Sequence, residues 1–242
     1  MNVLLITGTN TETGKTVLTC ALAAYWQTYR PQKTLGIFKP IQTGSSDRIN
    51  GISDRSESIS LTDRDLYQKL FDLNQSPEEI APLHFQTPVA PPVAAEREGR
   101  TIDLGLVWQA FNALRQQRQL VLVEALGGLG SPLTHELTVA DLARDWHLPV
   151  VLVVPVQLGA IAQAVANVAL ARQSGVHLKG IVLNCVQSCS DQDIADWTPV
   201  ELIQSLTNIP VLGCLPYLTD PTDLAKLAQV ASNLDLEQLL PL

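Results

Sequence analysis

The sequence predicts an α/β fold: a doubly wound, mostly parallel sheet with helices on both faces. Three observations predict it. Short apolar runs rich in Val, Ile and Leu recur without period-two alternation, the pattern of strands covered on both faces. Between them lie segments with apolar residues at three- and four-residue spacing, the pattern of helices returning the chain to a sheet. The first run passes into the first helical segment through Gly8-Thr9-Asn10-Thr11-Glu12-Thr13-Gly14-Lys15-Thr16.

In chain order the predicted strands are 3–7, 35–39, 120–124, 150–156 and 180–184, with a weaker one at 211–215. The predicted helices are 15–29, 104–117, 137–146, 160–173 and 223–234. Right-handed crossovers between parallel strands would distribute them over both faces. The polar stretch Ser45–Ser60 reads as a surface loop. Thr87-Pro88-Val89-Ala90-Pro91-Pro92 reads as extended, because proline restricts the residue before it. The longest apolar stretch, Leu148–Ala171, is broken by Pro155, Gln157, Gly159, Gln163 and Asn167. A strand followed by a buried helix suits it better than a membrane span. No repeat or low-complexity tail interrupts the 242 residues, which are expected to form a single domain.

Composition narrows the function classes. With 46% hydrophobic and 17% charged residues the chain is globular. A net charge of −8 with scattered Lys and Arg argues against nucleic-acid or anionic-membrane partners, which require a basic surface. The start lacks a basic leader, and Cys20, Cys185, Cys189 and Cys214 form no CxxC pair. These features predict a cytoplasmic protein with reduced thiols.

A strand, a glycine-bearing turn ending in Gly-Lys-Thr, and a helix form the context of a phosphate-binding loop, and so of a P-loop NTPase fold. Backbone N–H groups of such a turn cradle phosphate oxygens, and the helix adds unpaired donors and the positive end of its dipole. Lys15 would supply a cation to the terminal phosphates, and Thr16 a hydroxyl to Mg²⁺. The spacing is unusual, since the place of the first glycine holds Thr9 and Gly8 sits one residue earlier. Lys39-Pro40-Ile41-Gln42-Thr43-Gly44 follows the second strand, on the side where open α/β sheets bind ligands. Lys39 reads either as a second cation for a transferring phosphoryl group or as a solvated strand-end lysine. In Val123-Glu124-Ala125-Leu126-Gly127-Gly128, an acid ends a buried strand before a glycine-rich turn. Glu124 reads as a magnesium acid or as a capped surface glutamate.

Together these segments, with Asn184 at a late strand end, resemble dethiobiotin synthetase, and the resemblance runs from Val3 to about Leu240. It implies an ATP-dependent cyclo-ligase that joins CO2 to 7,8-diaminononanoate through a carbamate and its phosphoric anhydride. It also implies Mg²⁺, a homodimer and small-molecule substrates. Carried over by residue, Glu12, Thr13, Gly14, Lys15, Thr16 and Val17 would wrap the phosphates. Lys39, with Lys15, would be catalytic. Thr11, Thr43 and Lys39 would meet substrate. Glu124 would ligate Mg²⁺ with Thr16, and Ala125, Leu126 and Gly127 would border the nucleotide. Asn184 would read the base, beside Cys185, Leu215, Pro216 and Tyr217. A second metal acid is implied as Asp63 or Asp65, and spacing favours Asp63. Leu126 and Cys185 depart from the family pattern. A partitioning-type switch ATPase shares this fold; Asn10 stands where its second loop lysine would be, and the last helical stretch is acidic. A glutaminase-bearing synthetase would need a further domain.

Overall fold

The computed structural model describes residues 2–44 and 62–241, so the predicted loop at Ser45–Ser60 lies outside the described residues. The strands are β1 (Val3–Gly8), β2 (Leu35–Phe38), β3 (Ile41–Thr43), β4 (Leu83–Phe85), β5 (Leu120–Gly128), β6 (Val150–Pro155), β7 (Leu178–Asn184) and β8 (Val211–Leu215). The helices are α1 (Lys15–Tyr29), α2 (Asp63–Leu70), α3 (Pro77–Ile80), α4 (Pro91–Arg97), α5 (Leu104–Gln117), α6 (Val139–Asp145), α7 (Ala160–Gln173), α8 (Asp191–Trp197), α9 (Val200–Thr207), α10 (Leu224–Ala231) and α11 (Leu236–Leu239).

Six strands form one parallel sheet in the order β2-β5-β1-β6-β7-β8. Successive residues of a strand point to opposite faces. Leu4 and Ile6 of β1 therefore join one core layer with α1 and α10, while Val3 and Leu5 join another with α5 and α6. On that second face, β6 and β7 contribute Leu152, Val154, Ile181 and Leu183 to a layer with Ala164, Val168 and Ile203. Both faces are apolar, which is why the strand runs lack alternation.

The sheet order reverses at β1. The chain leaves β1 through α1 to reach β2 on one side, and β6 to β8 build the other side. A crevice outside the carboxyl end of a strand at such a switch point is the expected ligand site of an open α/β sheet.

Several features differ from expectation, among them α3, α8, α9 and α11, short helices that the apolar spacing did not predict. Pro91 and Pro92 open α4 instead of continuing an extended run; a proline in the first helical turn gives up an N–H that has no intrahelical partner. The glycine-rich turn expected after Glu124 is the last part of β5, which pairs with β1 through Gly8 and Gly128. A β-carbon on Gly128 would sit 2.9 Å from the Gly8 carbonyl oxygen, so glycine allows this close approach. The helices expected at 137–146 and 223–234 are shorter: Thr138 and Asp223 act as their N-caps, and Trp146 and Ser232 as their C-caps. Finally, β3 and β4 pair in a small parallel sheet, Thr43 opposite Phe85. Three-residue strands are too short to carry a readable period.

The long apolar stretch divides into β6 and α7. No helix among the described residues is long and apolar enough to cross a membrane.

Candidate active site

The loop between β1 and α1 rests on the sheet through Thr9 N–H, which donates to the Val153 carbonyl at 3.0 Å. Its left-handed residues are Glu12, with φ of 58°, and Gly14, with φ of 93°. Thr9 is not among them, so the place of the missing glycine needs no left-handed backbone; its hydroxyl donates to Gln163 Oε1 at 3.2 Å. Gly14 is the N-cap of α1 and no side chain caps that end. The first N–H groups of α1 are thus left for a ligand, as an anion site requires. Thr11 and Glu12 are exposed, Thr13 is buried, and Val17 is half-buried against the core. Lys15 Nζ donates to the Asn10 carbonyl at 3.0 Å. Burial lowers its pKa from the ordinary lysine value to about 8.

Lys39 stands just past β2, where its backbone N–H donates to the Ile80 carbonyl at 2.7 Å. It is buried, and its ammonium pairs with two carboxylates: Asp63, and Glu124 Oε1 at 2.7 Å. The strand-end lysine is therefore not solvated, and Glu124, 1% exposed, is no surface glutamate. Burial alone would depress the Lys39 pKa, but Asp63 and then Glu124 outweigh it and hold the ammonium well above the usual range. Burial alone would raise the Asp63 pKa, and the Lys39 charge reverses this.

Of the two acids weighed for this region, Asp63 reaches the cluster, as the first residue of α2. Asp65 turns back on its own helix start. It forms a capping box with Thr62 and pairs with Arg64. Thr16 completes the group: its hydroxyl lies 3.4 Å from Asp63 Oδ1 and 3.3 Å from Glu124 Oε1.

Two further contacts to Glu124 were not foreseen. Its Oε2 accepts a hydrogen bond from the fully buried Tyr67 hydroxyl, and the Thr19 hydroxyl lies 3.3 Å away. Helical spacing carries the signal for both. Tyr67 lies one turn after Asp63 on α2, and Thr19 three residues after Thr16 on α1. Burial, followed by the Glu124 charge, pushes the Tyr67 pKa well above the ordinary phenol value, so the hydroxyl stays a donor.

On the other flank of the loop, buried Asn184 at the end of β7 donates through Nδ2 to the Thr13 carbonyl at 3.0 Å. Leu215 is opposite Asn184 in the β7–β8 register. Its side chain is committed to the core, so of the three residues expected to line a base pocket, Pro216 and Tyr217 are the exposed ones. Cys185 is buried with Sγ 3.9 Å from Cys214 Sγ. Ala125 packs in the core, while Leu126 is half-buried and Gly127 lies beside Thr11. Thr43 ends β3, half-buried.

The donor set at Thr16, Asp63 and Glu124 is all oxygen, which suits a hard divalent cation such as Mg²⁺. Among the described residues no group of three or more His, Cys, Asp or Glu forms a metal cage. A cation here would complete its shell with phosphate oxygens and water, the usual habit of Mg²⁺ in nucleotide enzymes.

Comparison with known proteins places this geometry in a family. A family profile described as an AAA domain matches residues 2–224. The chain is 60% identical, over the whole of both chains, to the ATP-dependent dethiobiotin synthetase BioD of Gloeothece citriformis. It is 54% identical to that of Crocosphaera subtropica, over 99% of this chain and 100% of the relative. It is 30% identical to that of Bacillus subtilis, over 99% and 98%. Among solved structures, a ParA family ATPase from Chlorobium tepidum superposes with a TM-score of 0.55 at 16% identity, over 98% of each chain. The cell division ATPase MinD of Pyrococcus furiosus gives 0.54 at 16%, over 99% and 100%. At that identity they share the fold alone. The chain belongs to the ATP-dependent dethiobiotin synthetase family.

Proposed function

We propose that this chain closes the ureido ring of dethiobiotin, joining CO2 to 7,8-diaminononanoate with ATP and releasing ADP and phosphate. One observation carries the reading at the level of chemistry. Lys39, just past β2, pairs with Asp63 and Glu124 beside Thr16, and Lys15, opening α1, lies close enough to feel the charges of the same two carboxylates. Two cations and an oxygen-donor set are what an in-line phosphoryl transfer between bound anions requires.

Binding comes first. The N–H groups from Glu12 to Val17 and the uncapped start of α1 hold the triphosphate, with Lys15 on its outer phosphates. Asn184, beside Cys185 and Leu215, reads the base edge, and Pro216 and Tyr217 border it; Leu126 and Gly127 lie across the loop, while Ala125, expected with them, is committed to the core. Thr11 and Thr43 orient the diamine. One neutral amine takes up CO2 and releases a proton to water to form a carbamate, and Lys39 leaves its carboxylates to neutralise the carbamate oxygen. That oxygen attacks the γ-phosphorus and the bond to ADP breaks. The second amine then attacks the carbonyl carbon, the carbon–oxygen bond to phosphate breaks, the departing phosphate takes up the amine's proton and the ring closes. No covalent enzyme nucleophile takes part, so catalysis is positioning and charge neutralisation. Thr16, Asp63 and Glu124 would hold Mg²⁺, which would supply charge neutralisation at the phosphates. A single domain acting as a cytoplasmic homodimer completes the proposal.

Incubating the protein with ATP, Mg²⁺, bicarbonate and the diamine tests it. Phosphate release should require the diamine and should match dethiobiotin detected by mass. Phosphate release that ignores the diamine would sink the reading.

A further inference from the structure

Glu124 has two oxygens in different surroundings. Oε1 faces the cluster, with Lys39 Nζ at 2.7 Å and the Thr16 hydroxyl at 3.3 Å. Oε2 is turned to Tyr67 and Thr19. Thr19 has one hydroxyl proton, and the Lys15 carbonyl at 2.9 Å is its nearer acceptor. Tyr67 is therefore the committed donor to Oε2. Its ring is fully buried in the core layer beneath α1, so the hydroxyl cannot swing away without disturbing that packing. We infer that Tyr67 is a positioning residue which holds Glu124 as a one-oxygen metal ligand, and that it thereby sets a preference for a small octahedral cation over Ca²⁺.

The reasoning is geometric. Mg²⁺ and Mn²⁺ accept single carboxylate oxygens in a tight octahedron, whereas Ca²⁺ takes more ligands and readily uses both oxygens of one carboxylate. A donor fixed on Oε2 keeps that oxygen from rotating toward the cation. Without it, Glu124 can turn and present both. Partners behind a metal ligand commonly change metal affinity about 10- to 100-fold when removed.

The inference rests on the metal reading above, and the two can fail separately. Tyr67→Phe removes the hydroxyl and keeps the ring. Mn²⁺ binding would be measured by electron paramagnetic resonance with a non-hydrolysable ATP analogue, and Ca²⁺ added as competitor. Wild type should bind Mn²⁺ and resist Ca²⁺. In Tyr67→Phe, Ca²⁺ should displace Mn²⁺ about tenfold more readily. This ratio compares two ions in one folded variant, so a general loss of stability does not move it. No protein-bound Mn²⁺ in wild type overturns both readings. Bound Mn²⁺ in wild type with unchanged discrimination in Tyr67→Phe overturns the role of Tyr67 alone. Should Tyr67→Phe fail to fold, 3-fluorotyrosine placed at position 67 alone by nonsense suppression, with every other residue kept, gives a second measurement. Its ¹⁹F resonance should shift when Mg²⁺ and the ATP analogue bind, and an unmoved resonance overturns the inference.

Discussion

Asn184 leaves no space for a side chain on Gly14: a β-carbon there would lie 2.0 Å from Asn184 Nδ2. The same Nδ2 donates to the Thr13 carbonyl at 3.0 Å, so the end of β7 clamps the turn of the phosphate loop. Gly14 also has φ of 93°, which an L side chain resists. Gly14→Ala should therefore lose about 1–2 kcal/mol from backbone strain alone, and should push Asn184 off the loop. Calorimetric titration with an ATP analogue should show binding weakened at least tenfold, together with a lower melting temperature. Unchanged affinity would contradict the clamp.

Lys39 neutralises two carboxylates before any ligand arrives. Lys39→Met should destabilise the metal-free protein by roughly 2–3 kcal/mol, less than a fully buried pair because Asp63 is partly open to water. Millimolar Mg²⁺ should restore part of the melting temperature in the variant and do less in wild type, because the cation replaces the lost ammonium. Turnover should vanish while ATP binding persists; retained turnover would reject the catalytic role of Lys39.

Asp63 and Asp65 are two residues apart, with different duties. Asp63→Asn should cut diamine-dependent phosphate release about 100-fold and weaken Mn²⁺ binding. Asp65→Asn weakens a capping box and should cost about 1 kcal/mol in a urea melt, with turnover kept. The reverse pattern would reassign the metal acid.

The pH dependence of stability follows from Lys15, whose pKa falls to about 8 in the fold through burial. Below that value lysine is charged in both folded and unfolded chains, and the fold carries the full cost of burying the charge. Between about 8 and the unfolded lysine value the unfolded chain binds more protons, so this contribution to stability rises with pH. Bound phosphates favour the ammonium. Above pH 8, nucleotide binding should therefore take up protons and weaken as pH increases. Titrations at pH 8.5 in buffers of different ionisation enthalpy measure the uptake, and zero uptake would contradict the assignment.

The strands and the main helices were legible because burial on both faces removes alternation and amphipathic helices keep theirs. Helices 15–29, 104–117 and 160–173 coincide with α1, α5 and α7. The small pair β3–β4 was not legible, since three residues hold no period. Pro91 and Pro92 misled because proline opposes a helix interior but suits a helix start.

By itself the sequence determined the doubly wound architecture, the phosphate loop and the identity of the charged residues at strand ends, because these depend on local pattern and on spacing along the chain. Only the tertiary structure decided how they meet. It paired Lys39 with both Asp63 and Glu124, turned Asp65 away, committed Leu215 to the core, and set Tyr67 and Thr19 behind Glu124. Contacts between residues as distant in the chain as 39 and 124 depend on which strands neighbour in the sheet and on which face each side chain takes. Neither is written in local periodicity.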